Sequence, residues 1–260
     1  MANQEISTSY VKVSNGSLQI KAYLAMPISG KSLPGVAVGG KSLPGIIVLQ
    51  EIFGVNSHIR DVTERLAKEG YIAIAPALFQ RFAPGFETGY TPEDIEIGKE
   101  YKDQTTADEL LSDIQATINY LVSQTAVNPD ALGCIGFCFG GHVAYLAASL
   151  PEIQATASFY GAGITTMTPG GGEPTLSRTE EIKGRTIYAF FGTKDASIPA
   201  DEVDKIEAAL NKHQILHRIF RYKGADHGFF CDQRASYNEA AATDAWNQVK
   251  QLFRQELRVI

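Results

Sequence analysis

Polar and apolar residues alternate over 8–26, with Asn15-Gly16 at the middle. That period of two predicts an antiparallel strand pair joined by a turn. Beyond it the rhythm changes. Runs at 46–49, 71–75, 131–135, 154–160, 185–191 and 216–222 predict strands, the apolar run 46–49 a buried one. Between them, apolar residues recur with helical spacing at 57–69, about 105–123, 200–213 and about 235–256. The stretches 76–103 and 161–183 lack either period and read as loops. Strands that alternate with helices of this length need crossover connections, which predicts an α/β fold: a mainly parallel central sheet with helices on both faces. No linker or shift in composition divides residues 1–260, so one domain is expected.

One segment breaks the pattern. Gly30-Lys31-Ser32-Leu33-Pro34-Gly35 recurs as Gly40-Lys41-Ser42-Leu43-Pro44-Gly45. Two short copies cannot build a repeat architecture. A local tandem duplication is expected, with about 27–45 forming a surface loop extension.

Composition narrows the function classes. Of 260 residues, 44% are hydrophobic, which is ample for a core. The net charge of −6 and the lack of a basic stripe disfavour nucleic-acid binding. No apolar run approaches the roughly 18 residues that span a bilayer. The first residues have neither a basic nor an apolar signal region, so a cytoplasmic protein is expected. Cys134, Cys138 and Cys231 are few and odd in number, and they show no metal-binding spacing. Such a protein is expected as a monomer or a small homo-oligomer.

The chemistry concentrates at the ends of the strands. Gly136-Phe137-Cys138-Phe139-Gly140-Gly141 joins an apolar run to a helical one. A glycine two before and a glycine two after the cysteine fit a strained strand-to-helix turn that exposes a nucleophile. A helix N-terminus there favours a thiolate. Cysteine is also a common small buried hydrophobe, so the turn alone does not define a site. Two further loops add to it. Asp195 follows the run ending at Phe191, and His227 follows the run ending at Tyr222. Asp226 offers a second carboxylate, although a turn cap would also explain it. Nucleophile, acid and base in the order Cys138, Asp195, His227 match the α/β-hydrolase fold. Thiol, imidazole and carboxylate are together what nucleophilic catalysis requires.

Glu51 ends the run at 46–49, where this fold builds its oxyanion hole. Gln50-Glu51-Ile52-Phe53-Gly54-Val55-Asn56, the cysteine turn, Gly192-Thr193-Lys194-Asp195 with Pro199, and Ala225-Asp226-His227-Gly228-Phe229 together resemble the dienelactone hydrolase (carboxymethylenebutenolidase) family. The resemblance runs from about residue 45 to the last helix and takes in Arg81-Phe82-Ala83-Pro84-Gly85 and Phe159-Tyr160-Gly161. It implies a hydrolase of small lactones or esters that needs no metal or organic cofactor. Cys138 would be the nucleophile, His227 the base, Asp195 its partner, and Glu51 a carboxylate beside the thiol. The backbone N–H groups of Ile52 and Phe139 would hold the oxyanion. The chain departs from the family in its arginines: Cys231 stands where the resemblance expects one, and 94–101 contains none. Arg81, Arg234, Tyr101 and Tyr160 are the candidate substitutes. A broad carboxylesterase or thioesterase, and a non-catalytic ligand-binding relative, are the alternatives.

Overall fold

A computed structural model describes residues 5–28, 42–182 and 184–257. The first copy of the duplicated hexapeptide, and Gly40 and Lys41 of the second, lie outside the described residues. Chain order is β1 (Ile6–Asn15), β2 (Leu18–Pro27), β3 (Leu43–Leu49), α1 (Ser57–Lys68), β4 (Ile72–Pro76), α2 (Pro92–Asp103), α3 (Ala107–Val122), β5 (Val127–Phe137), α4 (Phe139–Ala147), β6 (Ile153–Phe159), a 3-10 turn (Thr175–Glu181), β7 (Thr186–Gly192), α5 (Ala200–Lys212), β8 (Leu216–Tyr222) and α6 (Glu239–Glu256).

The eight strands form one sheet in the order β1-β2-β4-β3-β5-β6-β7-β8. β1 pairs antiparallel with β2, and β2 with β4. Every other pairing is parallel. Alternation within β3 shows why helices cover both faces. Ile46 and Val48 join a core with Ile59, Val62 and Leu66 of α1 and Val249 and Phe253 of α6. Ile47 and Leu49 point the other way, into a core with Leu110, Ile114 and Ile118 of α3 and Val143 and Ala147 of α4. Each such side chain, buried fully, contributes about 1.5–3 kcal/mol.

Three expectations change. The stretch 76–103 contains α2, which Thr91 caps by accepting from the Asp94 N–H while Asp94 accepts from the Thr91 N–H. The stretch 161–183 contains the 3-10 turn. Residues assigned to a loop extension belong to strands: Pro27 ends β2, and Leu43–Gly45 open β3, where Leu43 donates to the carbonyl of Ala126 at 2.7 Å.

The order of the strands reverses between β3 and β5, which lie side by side with their crossovers running in opposite directions. Sites in such sheets lie beyond the carboxyl ends of the strands at that point. Glu51 and Cys138 follow those two strands.

Candidate active site

The turn after β5 is shaped by what cannot fit there. A Cβ on Gly136 would lie 1.9 Å from the Gly140 carbonyl oxygen, and one on Gly140 would lie 2.3 Å from that of Leu49. Only glycine lets strand and helix approach this closely. Between them Cys138 is held at φ 54°, a strained conformation for a side-chain-bearing residue. Its N–H donates to the carbonyl of Phe159 at 3.0 Å, and its carbonyl accepts from Gly141 at 2.9 Å and His142 at 3.1 Å. The half-buried thiol therefore stands at the N-terminus of α4. The Phe139 N–H, first in that helix, belongs to the N–H groups that lack an intrahelical acceptor.

His227 Nδ1–H donates to Asp195 Oδ2 at 2.8 Å, and Asp195 Oδ1 accepts from the Ser197 N–H at 2.8 Å. The Asp195 carboxylate is wholly buried. Asp226 meets only the backbone, where its Oδ1 accepts from the His227 N–H at 2.7 Å. Asp195 is thus the carboxylate bonded to the ring. The other ring nitrogen remains for Cys138, with which His227 also hydrogen-bonds. Burial opposes the imidazolium, but the Cys138 charge and the bonds to Asp195 and Cys138 outweigh it and push the His227 pKa up to about 10.

Glu51 is fixed from behind. Gln50 Nε2 donates to the Glu51 carbonyl at 3.3 Å, while Gln50 Oε1 accepts from the Leu78 N–H at 3.1 Å. The Glu51 carboxylate is fully buried. Arg234 Nη1 donates to its Oε1 at 3.0 Å, and Oε2 has no hydrogen-bond partner. Burial raises the Glu51 pKa, and Arg234 and His227 act against that rise. The side chain paired with Glu51 is therefore Arg234, while Cys138 pairs with His227.

A cavity of about 510 Å³ opens over the thiol, lined by Ile52, Phe53, Ile95, Lys99, Lys102, Cys138, Phe139, His142, Met167, Ser197, His227 and Arg234 among others. Lys99, Lys102, Arg234 and the His227 imidazolium give it four cations, and no carboxylate among the described residues lines it. Lys99 pairs with Glu96 at 2.9 Å, and Lys102 pairs with Asp103. His142 is buried and neutral, its pKa lowered to about 4 chiefly by burial. Its ring bonds the Ala162 carbonyl at 2.9 Å and Thr175 Oγ1 at 2.7 Å.

The substrate-binding candidates separate. Arg81 is not at the cavity, because its guanidinium is bidentate to Asp113 of α3 at 3.1 and 2.6 Å. Tyr101 packs against Phe86, with ring centroids 4.8 Å apart, and does not line the cavity either. Tyr160 lies fully buried behind His227, ring centroids 5.2 Å apart, with φ 36° and an unpartnered hydroxyl. Of the four, Arg234 reaches the cavity. Lys99, Lys102 and His142 were missed. The first two sit on α2, whose cap was their one readable signal.

This strand order, with a nucleophile turn after its fifth strand, is the α/β-hydrolase fold. Known proteins narrow the class. The profile of the dienelactone hydrolase family matches residues 33–257, and the chain belongs to that family. It is 60% identical over 254 residues, 98% of this chain and 99% of the other, to "Putative carboxymethylenebutenolidase" of Synechocystis sp.. It is 32% identical over 250 residues, 95% of this chain and 94% of the other, to "Probable 2-oxo-3-(5-oxofuran-2-ylidene)propanoate lactonase" of Bradyrhizobium sp.. The solved structure described as "Putative Dienelactone Hydrolase from Klebsiella pneumoniae" superposes with a TM-score of 0.82 at 31% identity, covering 96% of this chain and 99% of that one. The chain is a hydrolase of lactone or ester bonds. No helix among the described residues is long and apolar enough to cross a membrane.

Proposed function

We propose that the enzyme opens a small, negatively charged lactone by covalent catalysis at Cys138. The observation that carries this reading is the chain of contacts from Cys138, strained at a helix N-terminus, through His227 to buried Asp195. His227 holds the thiol proton as an imidazolium, and the Cys138 thiolate beside it attacks the lactone carbonyl. Charge that develops on the carbonyl oxygen is held by the N–H groups of Ile52 and Phe139, each worth roughly 3–4 kcal/mol where such donors have been measured. Collapse breaks the ring C–O bond, His227 returns the proton to the leaving oxygen, and a thioester remains. Water activated by His227 then cleaves the thioester and restores the thiol. Each step uses side chains and backbone of this chain alone. Glu51 and Arg234 form the charged wall beside this centre, Glu51 restraining the thiol until substrate arrives.

The charge of the cavity supports an anionic substrate. Lys99, Lys102 and Arg234 line it, with no lining carboxylate among the described residues. The printed name of the Bradyrhizobium relative describes a lactone that bears a propanoate. We also place the enzyme in the cytoplasm, where its three unpaired cysteines would remain thiols.

The test compares kcat/KM for a carboxylated dienelactone, its methyl ester and a plain p-nitrophenyl ester. The carboxylated lactone is expected to be preferred, and Lys99→Ala with Lys102→Ala should erode that preference through KM. Equal rates on the acid and its methyl ester would instead favour a broad esterase, to which the apolar wall of Ile52, Phe53, Ile95 and Met167 is also suited.

A further inference from the structure

Behind the active site lies a second cluster that shares Glu51 with it and adds two side chains the hydrolysis does not use. Glu51 after β3, His58 in the first turn of α1 and Cys231 after β8 are all buried, and one donor atom from each lies within 4.8 Å of the other two. Two of the three are incomplete. Glu51 Oε2 has no hydrogen-bond partner, and neither nitrogen of His58, 1% exposed, has one. Leaving even one such buried group unpaired costs about 1–3 kcal/mol, so an unpaired carboxylate oxygen and an unpaired imidazole beside a buried thiol call for an occupant.

We propose that Glu51, His58 and Cys231 form a buried site for a transition-metal dication of the zinc type. One carboxylate, one imidazole and one thiolate are a borderline-soft donor set that suits Zn²⁺ far better than Mg²⁺ or Ca²⁺. Tetrahedral zinc, with bonds of about 2.0–2.3 Å, places its ligand atoms about 3.5 Å apart. The cluster needs to contract by on the order of 1 Å, which side-chain rotation can supply. The Cys231 S–H bond breaks heterolytically, the proton leaves to solvent, and the sulfur electron pair forms the metal bond with no change of oxidation state. Thiolate and carboxylate offset the dication, and the Arg234 guanidinium on Glu51 leaves the site with one positive charge. His58 is already a neutral imidazole, its pKa lowered to about 3 mainly by burial.

The surroundings behave as supports for the ligands. Arg234 holds Glu51 through Oε1 and leaves Oε2 free. Tyr90 accepts the Cys231 thiol at 3.3 Å and also accepts from Asn56 Nδ2 at 3.1 Å. When Cys231 loses its proton, the Tyr90 hydroxyl can turn and donate to the thiolate. Such outer partners orient ligands and tune their basicity. The ring of His58 is steadied edge-on by Phe137, centroids 5.5 Å apart. Arg234 lines the active-site cavity and bonds Glu51, so it links the cluster to the cavity through which a metal would enter. Because Glu51 is shared, and on the reading of Glu51 given above, an ion here slows ester hydrolysis.

Cobalt(II) reports the site without reference to activity. Full-length protein, stripped with chelator and dialysed, is titrated with Co²⁺ and followed by its thiolate-to-cobalt charge-transfer absorption. One equivalent should produce the band, and Zn²⁺ should displace it. The band should persist in Cys138→Ser, vanish in Cys231→Ser, and require at least about tenfold more cobalt in His58→Phe, since even outer-shell losses cost that much. Phenylalanine keeps the packing on Phe137, and circular dichroism checks that each variant is folded. No stoichiometric binding by the wild-type protein would overturn the proposal. So would a band lost in Cys138→Ser or kept in Cys231→Ser, because the metal would then sit on the thiol of the active site.

Discussion

Arg234→Met isolates the buried ion pair at the wall of the active site. The variant keeps an apolar stem against Phe53 and Tyr90, on which the guanidinium now lies 5.6 Å from each ring centroid. It removes the sole charge bonded to a carboxylate that has no exposed surface. At the 3.0 Å separation of the pair and an effective dielectric of about 20, the attraction is about 5 kcal/mol. Breaking buried pairs by removing one partner costs about 3–5 kcal/mol. For a domain of this size that lowers Tm by on the order of 10 °C. The loss must depend on pH. Burial raises the Glu51 pKa, and Arg234 is the first of the charges holding it down. Without Arg234 the pKa climbs further above its unfolded value. A carboxyl raised in this way takes up a proton on folding, so its destabilisation is absent below the unfolded pKa and grows as pH rises towards the folded one. Urea unfolding of wild type and variant at about pH 5 and about pH 8 measures this. The loss should be small at the lower pH and most of the full amount at the higher, and Glu51→Gln in the same background should abolish the difference between them. Equal losses at both pH values, or a pH dependence that survives Glu51→Gln, would show that the Glu51 charge is not what the loss of Arg234 strands.

Three further outcomes follow from the site. Asp195→Asn should cut kcat by a factor of about 10⁴, as loss of an orienting carboxylate does in a related triad, while Asp226→Asn stays within a few-fold because that side chain meets only backbone; steady-state kinetics on both variants decides, and a larger effect at Asp226 would reverse the assignment. Glu51→Gln should slow turnover, and alkylation of Cys138 in the free enzyme should hold level or speed up, because a negative neighbour disfavours the thiolate; slower alkylation, followed by mass spectrometry, contradicts the restraint. The His227 ring should hold its proton through neutrality and lose it near pH 10, with the midpoint falling by more than about one unit in Cys138→Ser; in a proton NMR titration, a wild-type midpoint near the ordinary histidine value would show that the thiol does not lift it.

Local signals carried the fold and the centre of the site. The glycines around Cys138 were legible because strand and helix must touch there, and steric exclusion writes itself into sequence. The run 216–222 is β8 residue for residue, although none of its residues is fully buried. Helix α2 was not legible from periodicity because it buries only Gly98 and so has no apolar stripe. Its start was written in Thr91-Pro92-Glu93-Asp94, a capping sequence that needs no burial. The arginines show the limit of such reading. Arg81 is taken by Asp113, 32 residues away, and Arg234 finds Glu51 at a separation of 183 residues. No spacing rule reaches across pairings that only the assembled sheet creates. Gly228 shows the same dependence: at φ 78° it sits where a Cβ would lie 2.4 Å from Arg234 Nη1, so its absent side chain makes room for a partner the local sequence does not announce.

The most direct test of covalent catalysis at Cys138 is to find the acyl group. The enzyme is mixed with an activated aryl ester, quenched in acid within the burst of the first turnover, digested and mapped by mass spectrometry. One acyl group per chain is expected, carried as a thioester on the peptide that contains Cys138. Full turnover with no acyl adduct, or with the adduct on Cys231 or another residue, would contradict it.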